Sequence, residues 1–147
     1  MSEYVDFVRD FATRTRENLE FIRTRKDCGA NVNEVTQLIN SLLGMLIFIQ
    51  AKDDLPEARL EDIPEFPDIR RLKGRRAKKK FSLFIKAMRD AIAHGQIKQT
   101  KNKAKKITGF EFWTTPKKDP ETKIWHIECS LDAIYEIAII LTKRITR

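Results

Sequence analysis

The segment Arg89-Asp90-Ala91-Ile92-Ala93-His94 carries the residue types in this sequence that suit phosphodiester chemistry. An imidazole can move a proton near neutral pH, and a guanidinium can hold two phosphate oxygens as negative charge builds up. RNA supplies its own nucleophile, the 2′-hydroxyl, so Arg89 and His94 can suffice for cleavage without a metal ion. Asp90, one turn before His94, is a supporting catalytic candidate that could orient the imidazole ring.

Each of these three residues also has a plainer structural role. His94 can cap carbonyls at a helix end, Arg89 can pair with Asp90 or with an acid of segment 53–68, and Asp90 can be solvated. Five residues along an ideal helix rotate a side chain by about 140°, so Arg89 and His94 would not converge within one chain. A distorted last turn or a symmetric homodimer would bring them together, and we expect the dimer.

Two basic stretches flank this segment and predict binding to RNA. The net charge of +8 favours a polyanionic partner, and lysine and arginine side chains attract phosphates without reading sequence. Trp113, Trp125 and His126 could stack on bases, although such residues more often anchor a hairpin to helices. The predicted RNA contacts are Arg70, Arg71, Lys73, Arg75, Arg76, Lys78, Lys79 and Lys80 in the first stretch, and Lys98, Lys101 and Lys103 in the second.

Hydrophobic periodicity predicts four helices, over about 2–22, 34–50, 81–95 and 130–145. Segment 107–128 instead alternates with a period of two around a turn-rich centre, which is typical of a β-hairpin. Segment 52–73, rich in proline and acids, reads as a long connection with no second core on either side. We therefore expect one domain over 1–147 that is mainly all-α, with a β-hairpin inserted before the last helix.

Several kinds of site lack a sequence signature here. The glycines are isolated from one another, and the histidines have no ligand spacing, so we expect neither a metal nor a cofactor. The first residues lack the apolar core of a secretory signal, and the apolar run 35–51 is interrupted by polar residues. We expect a cytoplasmic protein with no membrane partner.

The segment 89–94 resembles the Arg-x4–6-His motif of the HEPN superfamily, in which a polar residue commonly follows the arginine. The context is similar as well: a long first helix, a hydrophobic second helix, and the motif late in the third. Segments 14–19 and 34–44 look like those of small stand-alone bacterial HEPN proteins. The resemblance covers most of the chain up to Gly95 and, more loosely, the last helix.

This resemblance implies an up-down four-helix bundle that dimerises across a cleft and cleaves RNA to a 2′,3′-cyclic phosphate and a 5′-hydroxyl. Arg89 and His94 carry over as catalytic positions, with Asp90 as the polar residue beside the arginine. Asn40 is a further candidate, whose alternative is a buried amide that bonds a neighbouring helix. The implied roles are a toxin or antiphage defence effector, which could have an antitoxin protein as partner. The alternative is a HEPN module that binds RNA or a protein without turnover.

Overall fold

The described residues, 7–31, 33–52, 57–69, 80–119 and 124–145, fold into four α-helices, a short 3₁₀ helix and three β-strands. The compact units of this computed structural model are Met1–Asp54 with Tyr135–Arg147 (unit 1) and Leu55–Ile134 (unit 2). A single domain over 1–147 stays a prediction. The elements in chain order are α1 (Phe7–Asp27), α2 (Glu34–Lys52), the 3₁₀ helix (Leu60–Asp62), α3 (Phe81–Ala93), β1 (Ile97–Lys101), β2 (Ile107–Thr114), β3 (Trp125–Ser130) and α4 (Leu131–Ile145).

The predicted fold class, a mainly all-α up-down four-helix bundle with an inserted hairpin, is wrong. The strands form a three-stranded antiparallel sheet in the order β1-β2-β3, so the chain is mixed α/β. The predicted hairpin is present as β2 and β3, and β1 is the strand that the prediction missed. Strand β1 pairs with β2 only and is largely exposed, so backbone hydrogen bonds stabilise it rather than an apolar face.

In unit 1, α1 and α2 contact each other through a glycine. A Cβ atom at Gly44 would lie 2.8 Å from the ring of Phe11, so a larger residue would require the ring to shift. The group that approaches α2 at Gly44 is therefore an aromatic side chain. The predicted second helix is confirmed. Buried apolar side chains of the two helices include Ala12, Leu19, Leu38, Leu42, Met45 and Leu46.

In unit 2, α3 contacts β2, and Phe84 of α3 lies among aromatic rings. Its ring packs edge-on against Trp125 of β3 at 5.7 Å and against Phe66 at 5.2 Å between centroids. Trp125 is fully buried, so it anchors the hairpin and cannot stack on a base. The stripe predicted for the third helix is buried at Phe81, Phe84, Ile85 and Met88, whereas Ile92 is half-buried.

The described part of the predicted connection, 57–69, is tied to the start of α3. Arg59 and Lys80 form an antiparallel bridge, and the N–H of Phe81 donates to the carbonyl of Ala58 at 2.9 Å. Lys80, a predicted RNA contact, also pairs with Glu57 at 2.9 Å. Both side chains are more than half exposed, and such surface pairs contribute about 1 kcal/mol or less. The other predicted contacts of the first basic stretch, Arg70, Arg71, Lys73, Arg75, Arg76, Lys78 and Lys79, lie outside the described residues.

Helix α4 begins with a side-chain cap. The hydroxyl of Ser130 accepts a hydrogen bond from the N–H of Ala133 at 3.1 Å, which satisfies one of the free donors of the first turn. Within the described ranges, none of the helices combines the length and the apolar character needed to cross a membrane.

The end of α3 is a left-handed turn at Gly95. Gly95 has φ +66°, its N–H donates to Ile92, and the N–H of Gln96 donates back to Ala91 at 2.7 Å. This is the Schellman pattern, in which a residue with positive φ closes the last turn. The C-cap residue is His94, so its position depends on this turn. Helix α1 ends in the same way at Gly29, with φ +83°.

We expect Gly95→Ala and Gly29→Ala each to lower the free energy of unfolding by about 1 kcal/mol, measured by urea denaturation. A Cβ at either position meets no atom within 4 Å, so the loss is backbone strain rather than a clash. Gly95→Asn is the matched control and should lose less, because asparagine tolerates the left-handed region. A Gly95→Ala variant as stable as the wild type would contradict this reading of the turn.

Candidate active site

A groove of about 340 Å³ lies along α3, and all of its lining residues that the structure describes belong to unit 2. Helix α3 lines it with residues three or four positions apart, which therefore share one helix face. The opposite wall comes from the residue before β1, from the end of β2 with the residues that follow it, and from the residue before β3. The lining residues from α3 and its cap are Leu83, Lys86, Ala87, Asp90 and His94, and those of the sheet side are Gln96, Thr114, Thr115, Lys117 and Ile124.

The imidazole of His94 is available to a ligand in this groove. His94 is exposed, and its side chain has no hydrogen bond or ion pair with any residue that the structure describes. Only its backbone is engaged, through the N–H that donates to the carbonyl of Asp90 at 3.0 Å. Both ring nitrogens are therefore free to donate or accept a proton from a bound molecule.

The carboxylate of Asp90 binds Arg89 rather than His94. Nη2 and Nε of Arg89 donate to the same oxygen, Oδ1 of Asp90, at 2.7 and 3.2 Å. The ion pair is accessible, since the side chains of Arg89 and Asp90 are 24% and 41% exposed. Of the roles considered for Asp90, which were to orient the imidazole, to pair with the arginine or to be solvated, the structure shows the pairing with Arg89.

The groove brings together only two of the three predicted motif residues. Asp90 and His94 line it, whereas Arg89 is outside its lining and held at its edge through Asp90. This agrees with the helical geometry, which turns residues 89 and 94 away from each other. Asn40 lies on α2 of unit 1, where it is exposed, so the expected buried amide is absent and a catalytic role for Asn40 stays a prediction.

The second basic stretch is an ordered β-hairpin formed by β1 and β2. In its loop, Asn102 accepts the N–H of Lys106 on its side-chain oxygen at 3.0 Å and donates its own N–H to the carbonyl of Lys106. Lys105 takes a left-handed conformation with φ +61°. We call this element the lysine hairpin; its exposed members are Lys98, Lys101, Lys103, Lys105 and Lys106.

Other groups able to do chemistry are less well placed. His126 lies 3.7 Å from Glu111, too far for a hydrogen bond, and its Nε2 is buried without a partner among the described residues. Burial, with a smaller contribution from the charge of Glu128, raises the pKa of the Cys129 thiol to about 12. Cys129 therefore stays protonated and is no nucleophile at neutral pH. No cluster of three or more possible metal ligands occurs in the described part of the chain.

Sequence reasoning missed half of the groove. Lys86 precedes Asp90 by four residues and His94 by eight, so helical spacing alone could have placed it on the same face. Gln96, Thr115 and Lys117 could not have been found in this way. Their approach to α3 depends on the pairing of β1 with β2, which the sequence pattern did not reveal.

Comparison with known proteins gives a family but no individual relative. The family model described as HEPN pEK499 p136 matches residues 1–146. No curated protein and no solved structure matches the chain. The matched range includes the sheet as well as the helices, so the strands are part of the matched family domain. HEPN domains are commonly ribonucleases or nucleotide-binding modules. The chain belongs to the HEPN family described as HEPN pEK499 p136.

Proposed function

We propose that the chain is a metal-independent endoribonuclease. The observation that carries this proposal is the free imidazole of His94 in a groove that also holds Lys86, Asp90 and Lys117. The 2′-oxygen attacks the adjacent phosphorus as its proton leaves, and the bond to the 5′-oxygen breaks as that oxygen is protonated. The products are a 2′,3′-cyclic phosphate and a 5′-hydroxyl, and an imidazole can serve either proton transfer.

Arg89 enters the reaction from a second copy of the chain in this proposal. Within one chain Arg89 is not among the lining residues of the groove that holds His94, and a symmetric dimer would bring the two residues to one phosphate. Its guanidinium would then neutralise the charge that develops on the phosphate. Asp90 acts as a positioning residue, because its Oδ1 holds both Nε and Nη2 of the arginine.

The lysine hairpin supplies affinity for the RNA backbone. Its five lysines are all exposed, and segment 97–107 contains no acidic residue to neutralise them. Contacts of this kind bind phosphates regardless of sequence and weaken as salt increases. The predicted RNA contacts in 70–79 stay a prediction. Family membership supports a role as a toxin or antiphage effector in the cytoplasm, restrained by an antitoxin protein.

A second candidate function is RNA or protein binding without turnover. The specific observation in its favour is the ion pair of Arg89 with Asp90, which occupies the guanidinium that the reaction needs. A module of this kind would bind RNA in a salt-sensitive way and release no cyclic phosphate. The first experiment below separates the two functions.

We expect purified protein to cleave single-stranded RNA in the presence of EDTA, with a 2′,3′-cyclic phosphate as product. His94→Ala should lower the cleavage rate by at least about 100-fold, because proton transfer by a positioned side chain contributes 10²–10⁴-fold. His126→Gln is the matched control and should retain activity, since His126 is not part of the groove. Absence of cleavage, or equal cleavage by His94→Ala, would contradict the proposed enzymatic function. Binding without turnover would then be the remaining candidate function.

We expect replacement of Lys101, Lys103 and Lys106 by alanine to weaken RNA binding without changing the fold. The slope of log affinity against log salt should become shallower by about 2, since each phosphate contact to single strands contributes about 0.7. The control replaces Arg25 and Lys26, exposed at the end of α1, and should leave the slope unchanged. An unaltered slope in the hairpin variant would rule out these lysines as phosphate contacts.

A further inference from the structure

We propose that the groove beside His94 is a nucleobase-binding subsite, in which Gln96 contacts the base edge and Leu83 and Ile124 contact its faces. This inference rests on the proposed function in taking RNA as the ligand, but it concerns base selection and not the cleavage step. It assigns to the sheet side of the groove a role separate from that of His94.

The apolar part of the subsite consists of two solvent-exposed hydrophobic side chains. In the part of the chain that the structure describes, three large hydrophobic residues are clearly exposed: Phe21 at 57%, Leu83 at 43% and Ile124 at 39%. Two of these three line the same groove, Leu83 from α3 and Ile124 from the residue before β3. Exposed apolar surface inside a groove favours a ligand with an apolar face, and a nucleobase has such a face.

The polar part is a fixed amide. Nε2 of Gln96 donates to the hydroxyl oxygen of Thr115 at 2.8 Å, and this bond is half-buried. It leaves Oε1 of Gln96 as an acceptor, a second amide N–H as a donor, and the Thr115 hydroxyl hydrogen as another donor. A carboxamide that presents a donor beside an acceptor matches the edge of a base, as it does in direct readout of nucleic acids.

The backbone of Gln96 is held at both ends, so the amide does not have to be ordered on binding. Its N–H donates to Ala91 at 2.7 Å as part of the turn at Gly95, and its carbonyl accepts from the N–H of Trp113 at 3.1 Å. A preorganised contact loses less conformational entropy on binding than a mobile one and therefore discriminates better.

The charge and the volume of the groove favour one nucleotide of single-stranded RNA as its occupant. Among the lining residues that the structure describes, Lys86 and Lys117 are accompanied by one carboxylate, that of Asp90, so an anionic ligand is favoured over a cationic one. The volume of about 340 Å³ is at the lower end of the range of roughly 300–1,000 Å³ that is typical for small-ligand sites. Base edges are accessible in unpaired RNA but not in the deep groove of an A-form duplex.

The test measures binding of 2′-fluoro octamers of adenosine, cytidine and uridine, which lack the nucleophile and cannot be cleaved. We expect the wild type to bind the three with different dissociation constants. Gln96→Leu should reduce that difference by roughly three- to tenfold, the value of about one neutral hydrogen bond. Leu83→Ala should weaken all three octamers alike, by about threefold.

Gln99→Leu is the matched control, because Gln99 is exposed on β1, outside the groove lining. It should leave the base preference unchanged. Base-dependent binding that Gln96→Leu removes would support the subsite even if the chain proves not to cleave RNA. Equal binding of the three octamers by the wild type, or a preference that Gln96→Leu leaves intact, would overturn it even if His94-dependent cleavage is found.

Discussion

The left-handed turn at Gly95 is the constraint on which the candidate site depends. It stops α3 directly after His94 and directs the chain into β1, so that Gln96 and His94 line one groove from its two sides. The N–H groups of Gly95 and Gln96 are both bonded to the last turn of α3. These bonds hold the backbone between His94 and Gln96 in one conformation. The hydrogen bond from Trp113 to Gln96 then joins the turn to the sheet.

The sheet side gives the groove its second half and much of its polarity. Strand β1 is an edge strand, and its pairing with β2 brings the end of β2 next to the start of β1. Thr114, Thr115 and Lys117 thereby face residues of α3 that precede them by about thirty positions in the chain. The aromatic contacts of Phe84 with Phe66 and Trp125 support α3 from its buried side, which leaves its other side free to line the groove.

The helices could be predicted from the sequence, because burial of one helix face imposes a period that the residue types reveal. Strand β1 could not, since Lys98, Gln99 and Lys101 are exposed and only backbone pairing defines the strand. For the site, the spacing of residues 89 and 94 predicted their divergence, and Arg89 is not among the lining residues of the groove that holds His94. The choice of Asp90 to bind Arg89 rather than His94 depends on side-chain rotamers, which spacing does not determine.

The catalytic proposal places residues of two chains at each site, because Arg89 is not among the lining residues of the groove that holds His94. The most direct measurement mixes the Arg89→Ala and His94→Ala variants, each inactive alone, after unfolding and refolding them together. If each site takes its imidazole and its guanidinium from different chains, half of the dimers carry one intact site, and the mixture recovers about a quarter of wild-type cleavage. A mixture as inactive as its two components, or a protein that is monomeric in solution, would contradict the account.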